Sequence, residues 1–314
     1  MRNKTIRHLR WVAPAALLAL GSCQSIKDNL EDCVQGIDLR FYSKTVCDAD
    51  TLYPAAIDEL RLYVFDDRGL LAAHGTAEAV RMRAEYTHTL EVQDGWFTVV
   101  AWAGLDAGTF DVAAPRVGVT TKDELLFRLR RTEGRAAQIG EGRVYYGESQ
   151  PVFLPDPKEH GSLFRSASVN LLEQTNRIHV EVEGLPSVEE YEIVIESAAG
   201  ATTYDGETTV DEPLVYASEA TAAGTLLTAS FTILQLELGM ETMLVVRERA
   251  TGRELYRGDL LGTLLLKNPG VNPLCQHDFT IRFTTQDQCQ CGTYMVMQIW
   301  VNDWLVHSFD TDLE

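Results

Sequence analysis

Alternation of apolar and polar residues dominates this chain and predicts β-strands. Segments 37–42, 60–65 and 178–183 alternate residue by residue, as a strand does when only one of its faces is buried. Segments 96–102 and 294–301 are apolar on both sides, which is typical of strands inside a sandwich. Because short strands recur roughly every ten residues in two blocks, we predict an all-β protein built from two tandem β-sandwich domains.

Helical spacing is confined to one short region. Between Thr121 and Arg131, the side chains of Leu125, Leu126 and Leu129 would share one helical face, and Thr121 would cap the first turn. We therefore predict a helix there and little helix elsewhere.

One segment has the composition of a domain boundary. Residues 151–161 contain three prolines and a charged triplet, a combination that interrupts regular structure. We predict an N-terminal sandwich over residues 33–150, a linker over 151–165 and a C-terminal sandwich over 166–314.

The first 22 residues have the parts of an export signal. Basic residues precede an apolar run from Trp11 to Leu20, which is too short to span a bilayer. The sequence Leu20-Gly21-Ser22-Cys23 then resembles a bacterial lipobox, in which the cysteine is acylated and becomes the mature N-terminus. We predict a signal peptide over 1–22, a lipid on Cys23 and a charged surface-display tether over 23–32. The alternative is an ordinary secretory signal with an incidental thiol at Cys23.

The charge balance narrows the choice of partners. The chain has 27 Lys+Arg against 46 Asp+Glu, a net charge of −19, and loss of residues 1–22 removes four basic and no acidic residues, which leaves −23. Nucleic acid is excluded as a partner because its phosphates require a basic face. Anionic lipid also repels such a chain, so membrane attachment has to come from an acyl chain or from protein partners.

Six cysteines are present, at positions 23, 33, 47, 275, 289 and 291. If Cys23 carries lipid, five remain in a protein exported to oxidising conditions, where disulfides form. We expect Cys33 to pair with Cys47, and Cys275 to pair with Cys289 or Cys291. One thiol is then left over.

Motifs for chemistry are lacking in the sequence. We find no HExxH zinc motif, no Gly-x-Ser-x-Gly elbow, no phosphate-binding loop and no Rossmann fingerprint. A zinc site from Cys275, His277, Cys289 and Cys291 is the sharpest alternative, but a single residue separates the last two cysteines where zinc sites usually have two to four. We predict no enzyme activity, no cofactor, no metal and no small-molecule ligand. A hydrolase with dispersed carboxylates is the least favoured alternative.

Several motifs along the mature chain form a combined pattern. They are the lipobox at Cys23, Glu31-Asp32-Cys33, Leu62-Tyr63-Val64-Phe65-Asp66, the runs 94–104 and 177–185, Tyr145-Tyr146-Gly147, and Ile299-Trp300-Val301-Asn302-Asp303-Trp304. Together they resemble the FimB-type family of fimbrial anchor lipoproteins, which sit at the base of type V pili in Bacteroidales. The resemblance implies two transthyretin-like sandwiches without enzyme activity that tether a fimbrium to the outer membrane and limit its length.

The resemblance also implies a mode of partner binding. Stalk subunits of such pili accept a strand from a neighbour, a form of β-augmentation. We predict that this chain keeps its N-terminal strand near 37–42, which links the body to its lipid, and donates a C-terminal strand to the fimbrial stalk subunit. The candidate donor residues are Tyr294, Val296, Gln298, Trp300, Asn302 and Trp304. The alternative is that this segment is the last core strand of its own sandwich.

A second function competes with the anchor role. A surface glycan-binding lipoprotein would share the lipobox, the acidic tether and the sandwiches. Trp96, Trp300 and Trp304 would then stack on sugar rings.

Overall fold

The chain folds almost entirely into β-strands, as the alternation predicts. The structure is a computed structural model that describes residues 30–54, 57–218, 220–266, 270–287 and 294–308. Within these ranges it has 23 strands, two short α-helices and one 3₁₀ helix. The helices are α1 (Pro157–His160), α2 (Leu260–Leu265) and the 3₁₀ helix Val188–Glu190.

The strands form two lobes. Those before residue 174 are β1 (Gly36–Tyr42), β2 (Ile57–Asp66), β3 (Leu71–Val80), β4 (His88–Glu91), β5 (Gly95–Ala103), β6 (Phe110–Val112), β7 (Leu125–Leu129), β8 (Arg131–Thr132), β9 (Arg135–Ala136), β10 (Tyr145–Glu148), β11 (Val152–Leu154), β12 (Phe164–Asn170) and β13 (Leu172–Glu173). The later ones are β14 (Thr175–Glu183), β15 (Tyr191–Thr203), β16 (Thr208–Ala217), β17 (Thr221–Ala223), β18 (Leu226–Leu234), β19 (Thr242–Glu248), β20 (Glu254–Asp259), β21 (Asp278–Asp287), β22 (Tyr294–Val301) and β23 (Trp304–Ser308).

The N-terminal lobe is a sandwich of two sheets. One sheet has the strand order β12-β1-β4, and the other has the order β13-β10-β5-β2-β3, with β11 also paired to β5. The inward side chains of both sheets form one core, in which Ile37 and Leu39 of β1 pack with Leu60, Leu62 and their neighbours. Alternating burial along β1 and β2 therefore places one face of each strand in this core, as their sequence patterns predict.

The C-terminal lobe is a larger sandwich. Its first sheet has the order β17-β18-β14-β21-β22-β23, and its second has the order β20-β19-β15-β16-β9-β8, with β7 on β15 and β6 on β7. Strands β6 to β9 come from residues 110–136, so the chain enters the C-terminal lobe, returns to the N-terminal lobe at β10 and leaves it again after β13. The two lobes are thus interleaved in sequence.

This interleaving differs from the predicted linear arrangement. The predicted linker 151–165 contains β11, whose Leu154 is fully buried, and α1, in which Asp156 caps the helix and Pro157 occupies its first turn. Proline is well suited to that helical position, which explains its presence without a linker. Strand β12 pairs in parallel with β1 over seven positions, and so residues up to 173 belong to the N-terminal lobe.

The helix predicted over residues 121–131 is wrong. The structure has strand β7 there, paired with β6 on one side and with β15 on the other. Leu126, Phe127 and Leu129 are all buried. Pairing with two strands that are distant in sequence outweighs the local helical spacing of the leucines, as tertiary context commonly does.

A continuous apolar core joins the lobes. Trp102 of β5 is fully buried against the ring of Phe127, with ring centroids 5.3 Å apart, and its indole N–H donates to the carbonyl of Tyr204 at 3.0 Å. Tyr63 meets Tyr204 edge to face at 4.8 Å. Residues of both lobes belong to one buried cluster. An interface built from buried aromatic side chains holds the lobes in a fixed relation.

Candidate functional sites at the two ends of the chain

The tether end is the first candidate site. Cys23 and the segment up to residue 29 lie outside the described residues. The described chain begins beside α1, where the Glu31 carboxylate accepts from the Lys158 ammonium at 2.5 Å. This hydrogen bond, together with the nearby charge of Asp94, raises the pKa of Lys158. Gln35, which is almost fully buried, donates its side-chain amide to the carbonyl of Gly161 at 3.1 Å.

Strand β1 fixes this end of the chain in the fold. It lies between β12 and β4, and Ile37, Leu39 and Phe41 are at most 2% exposed. A Cβ atom at Gly36 would lie 2.4 Å from the carbonyl oxygen of Leu90, so only glycine lets β1 approach β4 this closely. The structure thus places the segment predicted to be retained in the middle of its sheet.

The disulfide pairing differs from both predicted pairs. Cys47, in the loop after β1, is bonded to Cys275 of the C-terminal lobe, with their Cα atoms 6.0 Å apart and 228 residues between them in sequence. The predicted Cys33–Cys47 pair is wrong because Cys33 precedes β1 and Cys47 follows it. A seven-residue strand spans about 23 Å, and a disulfide requires Cα atoms within about 7 Å.

The predicted pairing of Cys275 with Cys289 or Cys291 is also wrong, and Cys289 and Cys291 themselves lie outside the described residues. The same bond removes Cys275 as a thiolate ligand, which rules out the zinc alternative in its four-ligand form. Across the described ranges, no cluster of three or more potential metal ligands occurs.

The C-terminal segment is the second candidate site, and the structure places most of it inside its own sheet. Strand β22 lies between β21 and β23, and Val296, Ile299 and Val301 are buried in the core that both lobes share. Of the predicted donor residues, Val296 is buried, Tyr294, Gln298 and Trp300 are half-buried, and Asn302 and Trp304 are exposed. This arrangement supports the alternative in which the segment is a core strand.

Strand β23 forms the edge of this sheet and was missed in the sequence. Asn302 and Asp303 have φ values of 46° and 63°, the left-handed conformation of both central residues in a two-residue type I′ turn. The turn is attached to β21, because the Asn302 side-chain oxygen accepts from the Thr280 N–H at 2.8 Å. In the described part of the chain β23 has a strand neighbour on one side only. Trp304 and Leu305 are exposed on it.

The tryptophans of the glycan-binding alternative do not meet in one site. Trp96 lies at the start of β5 in the N-terminal lobe, where it packs on Phe153 with ring centroids 5.1 Å apart. Trp300 and Trp304 lie on β22 and β23 of the C-terminal lobe. The structure therefore brings together two of the three residues, on adjacent strands of one hairpin.

The largest cleft, of about 620 Å³, lies on the C-terminal lobe. Its charged groups are engaged with one another: the Arg177 guanidinium donates to Asp278 at 2.5 Å and holds the pKa of that carboxyl below its usual value. His179 contacts Ser230 at 2.9 Å through its Nδ1 atom. Such paired groups are typical of structural ion pairs on a sheet exterior. Among the described residues, no helix is long and apolar enough to cross a membrane.

Comparison with known proteins gives a consistent result over the whole chain. The profile of the family described as fimbrillin-A associated anchor proteins Mfa1 and Mfa2 matches residues 30–309. The minor fimbrium anchoring subunit Mfa2 of Porphyromonas gingivalis is 35% identical over 99% of both chains. The solved structure of the fimbrial anchor protein Mfa2 from the same organism covers 88% of this chain and 100% of its own, with a TM-score of 0.83.

A more distant solved structure comes from Bacteroides thetaiotaomicron. Its name gives polysaccharide binding only as a conjecture. It is 19% identical, covers 89% of this chain and 99% of its own, and has a TM-score of 0.72. At this identity the likeness concerns the fold alone.

Proposed function

Because the chain belongs to the family of fimbrillin-A associated anchor proteins Mfa1 and Mfa2, we propose that it is a non-enzymatic surface lipoprotein that anchors a fimbrium to the outer membrane and helps to set the length of the fimbrium. The observation that carries this proposal is the 35% identity with a fimbrium anchoring subunit over the full length of both chains. The partners are the membrane, through a lipid on Cys23, and a fimbrial stalk subunit.

The attachment to the membrane rests on the acyl chain. The mature chain has a net charge of −23, so electrostatics does not hold it at an anionic surface. Acyl chains supply about 0.8 kcal/mol per buried methylene, independent of charge. Residues 23–29 span at most roughly 25 Å when extended, which keeps the N-terminal lobe close to the lipid.

The direction of β1 then orients the body. Strand β1 starts at the tether end and ends at Tyr42, whose carbonyl accepts from the N–H of Leu171 at 2.7 Å. Residue 171 leads through β13 into β14 of the C-terminal lobe. The C-terminal lobe therefore lies at the end of the N-terminal lobe that faces away from the tether, where a fimbrial subunit can reach it.

The fimbrial subunit binds by strand addition at the outer edge of β23. The residues that flank a two-residue type I′ turn pair through both of their backbone groups, so the N–H of Trp304 faces Val301 on β22. Successive N–H groups point to opposite sides of a strand, and the N–H of Leu305 therefore points outward. An added strand pairs with this edge and leaves Val296, Ile299 and Val301 in their core.

The anchoring role is tested with Cys23→Ala in cells that assemble the fimbrium. We expect the variant protein and its fimbriae in the culture medium instead of on the cells, because the remaining body has no membrane attachment. Fractionation followed by blotting for both proteins measures this. A Cys23→Ala protein that stays in the outer membrane and still holds fimbriae would contradict the proposal.

Strand addition is tested with Leu305→Pro against Leu305→Ala. Proline removes the outward N–H and is tolerated at edge strands, whereas alanine retains the donor and removes the same side chain. We expect shed fimbriae for Leu305→Pro and retained fimbriae for Leu305→Ala, with melting temperatures of the two purified proteins close to each other. Equal retention by both variants would exclude pairing at this edge.

A further inference from the structure

Large apolar side chains are exposed at the tether end of the N-terminal lobe. Their exposed fractions are 44% for Val34, 51% for Trp96, 46% for Phe153 and 41% for Phe164. Strand register shows that they share one end of the sandwich. Phe164 is paired opposite Gly36 at the start of β1, and Phe153 is paired opposite Trp96 at the start of β5.

Two connections place the starts of β1 and β5 side by side. The N–H of Val92, between β4 and β5, donates to the carbonyl of Gln35 at 3.1 Å. Glu91, the last residue of β4, is paired with Gly36. The apolar residues therefore surround the point at which the described chain meets its tether.

The rest of the same sheet face is covered, which singles out this end. Trp96, Val100 and Trp102 lie on the same face of β5, but Val100 and Trp102 are fully buried beneath the C-terminal lobe. Trp96 lies beyond the reach of that lobe and stacks on Phe153. Exposed apolar surface of this kind marks a binding site. The short distance to the tether determines which partner is close enough.

We propose that this apolar end, formed by Val34, Trp96, Phe153 and Phe164, contacts the lipid surface to which the tether is attached. The inference rests on the proposed function for the presence of that membrane. Tryptophan and phenylalanine rings favour the region between headgroups and acyl chains. The carboxylates of Glu31 and Asp94 lie beside them, so the contact is apolar in origin. It orients an already tethered body so that the long axis of β1 stands away from the bilayer.

The test uses the chain from Gln24 onward with a hexahistidine tag at its N-terminus, bound to phosphatidylcholine vesicles that contain a nickel-chelating lipid. Half of the samples contain phosphatidylcholine brominated near the headgroup end of its acyl chains, which quenches tryptophans in contact with the lipid. We expect bromine-dependent quenching in the wild-type chain and its loss in Trp96→Phe. Trp304→Phe is the matched control, because Trp304 is 50% exposed on the other lobe and its removal leaves the quenching intact.

A second variant separates docking from mere proximity. Phe153→Asp/Phe164→Asp retains Trp96 but places charge beside it, and both sites are exposed, so the fold is kept, as thermal melting checks. We expect the quenching to disappear while the tag keeps the protein on the vesicles. Quenching that persists would show that the tether alone brings Trp96 near the lipid, and this would overturn the inference.

Absence of quenching in the wild-type chain would also overturn the inference. An emission change of Trp96 with a soluble outer-membrane polysaccharide, without bromine quenching, would assign the site to sugar instead. Because the histidine tag replaces the native lipid, these results do not depend on acylation of Cys23. Failure of the lipid contact is therefore distinguishable from failure of the proposed anchor role, which the Cys23→Ala experiment tests in cells.

Discussion

The two ends of the described chain are built in opposite ways. Strand β1 has neighbours on both sides, and its three inward side chains are almost fully buried. Strand β23 has one neighbour in the described ranges, and Trp304 and Leu305 are exposed on it. The strand that continues into the tether is thus enclosed by the fold, whereas the strand at the far lobe presents backbone groups to a partner. An anchor requires this asymmetry, because one end must resist extraction and the other must remain available.

The Cys47–Cys275 disulfide connects these two ends directly. Tension between residue 23 and the hairpin of β22 and β23 follows the covalent chain through β1 to Cys47, crosses to Cys275 and continues into β21. The segment between residues 48 and 274 lies outside this path. The interface between the lobes is therefore bypassed by a covalent bond in addition to its apolar core.

Removal of this bond is expected to have the largest effect on stability. Cys47→Ser/Cys275→Ser lengthens the unconstrained chain by more than two hundred residues, and the chain-entropy account gives a loss of about 4 kcal/mol in the free energy of unfolding. Denaturant unfolding of the purified mature chain measures it. Wild-type protein under reducing conditions is the control and should lose a similar amount. A loss below about 1 kcal/mol would show that the apolar interface alone fixes the lobes.

A matched pair of leucines sharpens the comparison between the two ends. Leu39 of β1 is fully buried and Leu305 of β23 is 39% exposed. We expect Leu39→Ala to lower the free energy of unfolding by about 3 kcal/mol, through lost burial and the cavity left behind, and Leu305→Ala by less than about 1 kcal/mol. Urea unfolding under the same conditions measures both. Equal losses would mean that β23 is as firmly packed as β1, and the proposed difference between the ends would be wrong.

Most strands were predictable because alternation reports directly which face of a strand is buried. The segments 37–42 and 178–183 correspond to β1 and β14, and the doubly apolar segment 96–102 corresponds to β5. Both faces of β5 are indeed covered along most of its length, one by the N-terminal core and the other by the C-terminal lobe.

Features that depend on which distant segments meet were not predictable. The helical spacing around Leu125 and Leu129 ignores the pairing of β7 with β15, and nothing local to Cys47 indicates a partner 228 residues away. The exposure of Trp96 was equally hidden, because its position on β5 is like that of Trp102. Only the extent of the C-terminal lobe decides that one is covered and the other is not.

The smallest predicted effect concerns the turn that supports β23. Asn302 adopts a left-handed conformation that asparagine tolerates better than alanine, and its side chain accepts from the Thr280 N–H. We expect Asn302→Ala to cost about 1 kcal/mol, and Asn302→Gly, which relieves the strain but lacks the acceptor, to cost less. Hydrogen exchange of β23 amides should rise in Asn302→Ala while that of β1 amides stays unchanged. Faster exchange in both strands would mean that the two ends unfold together and are not independently built.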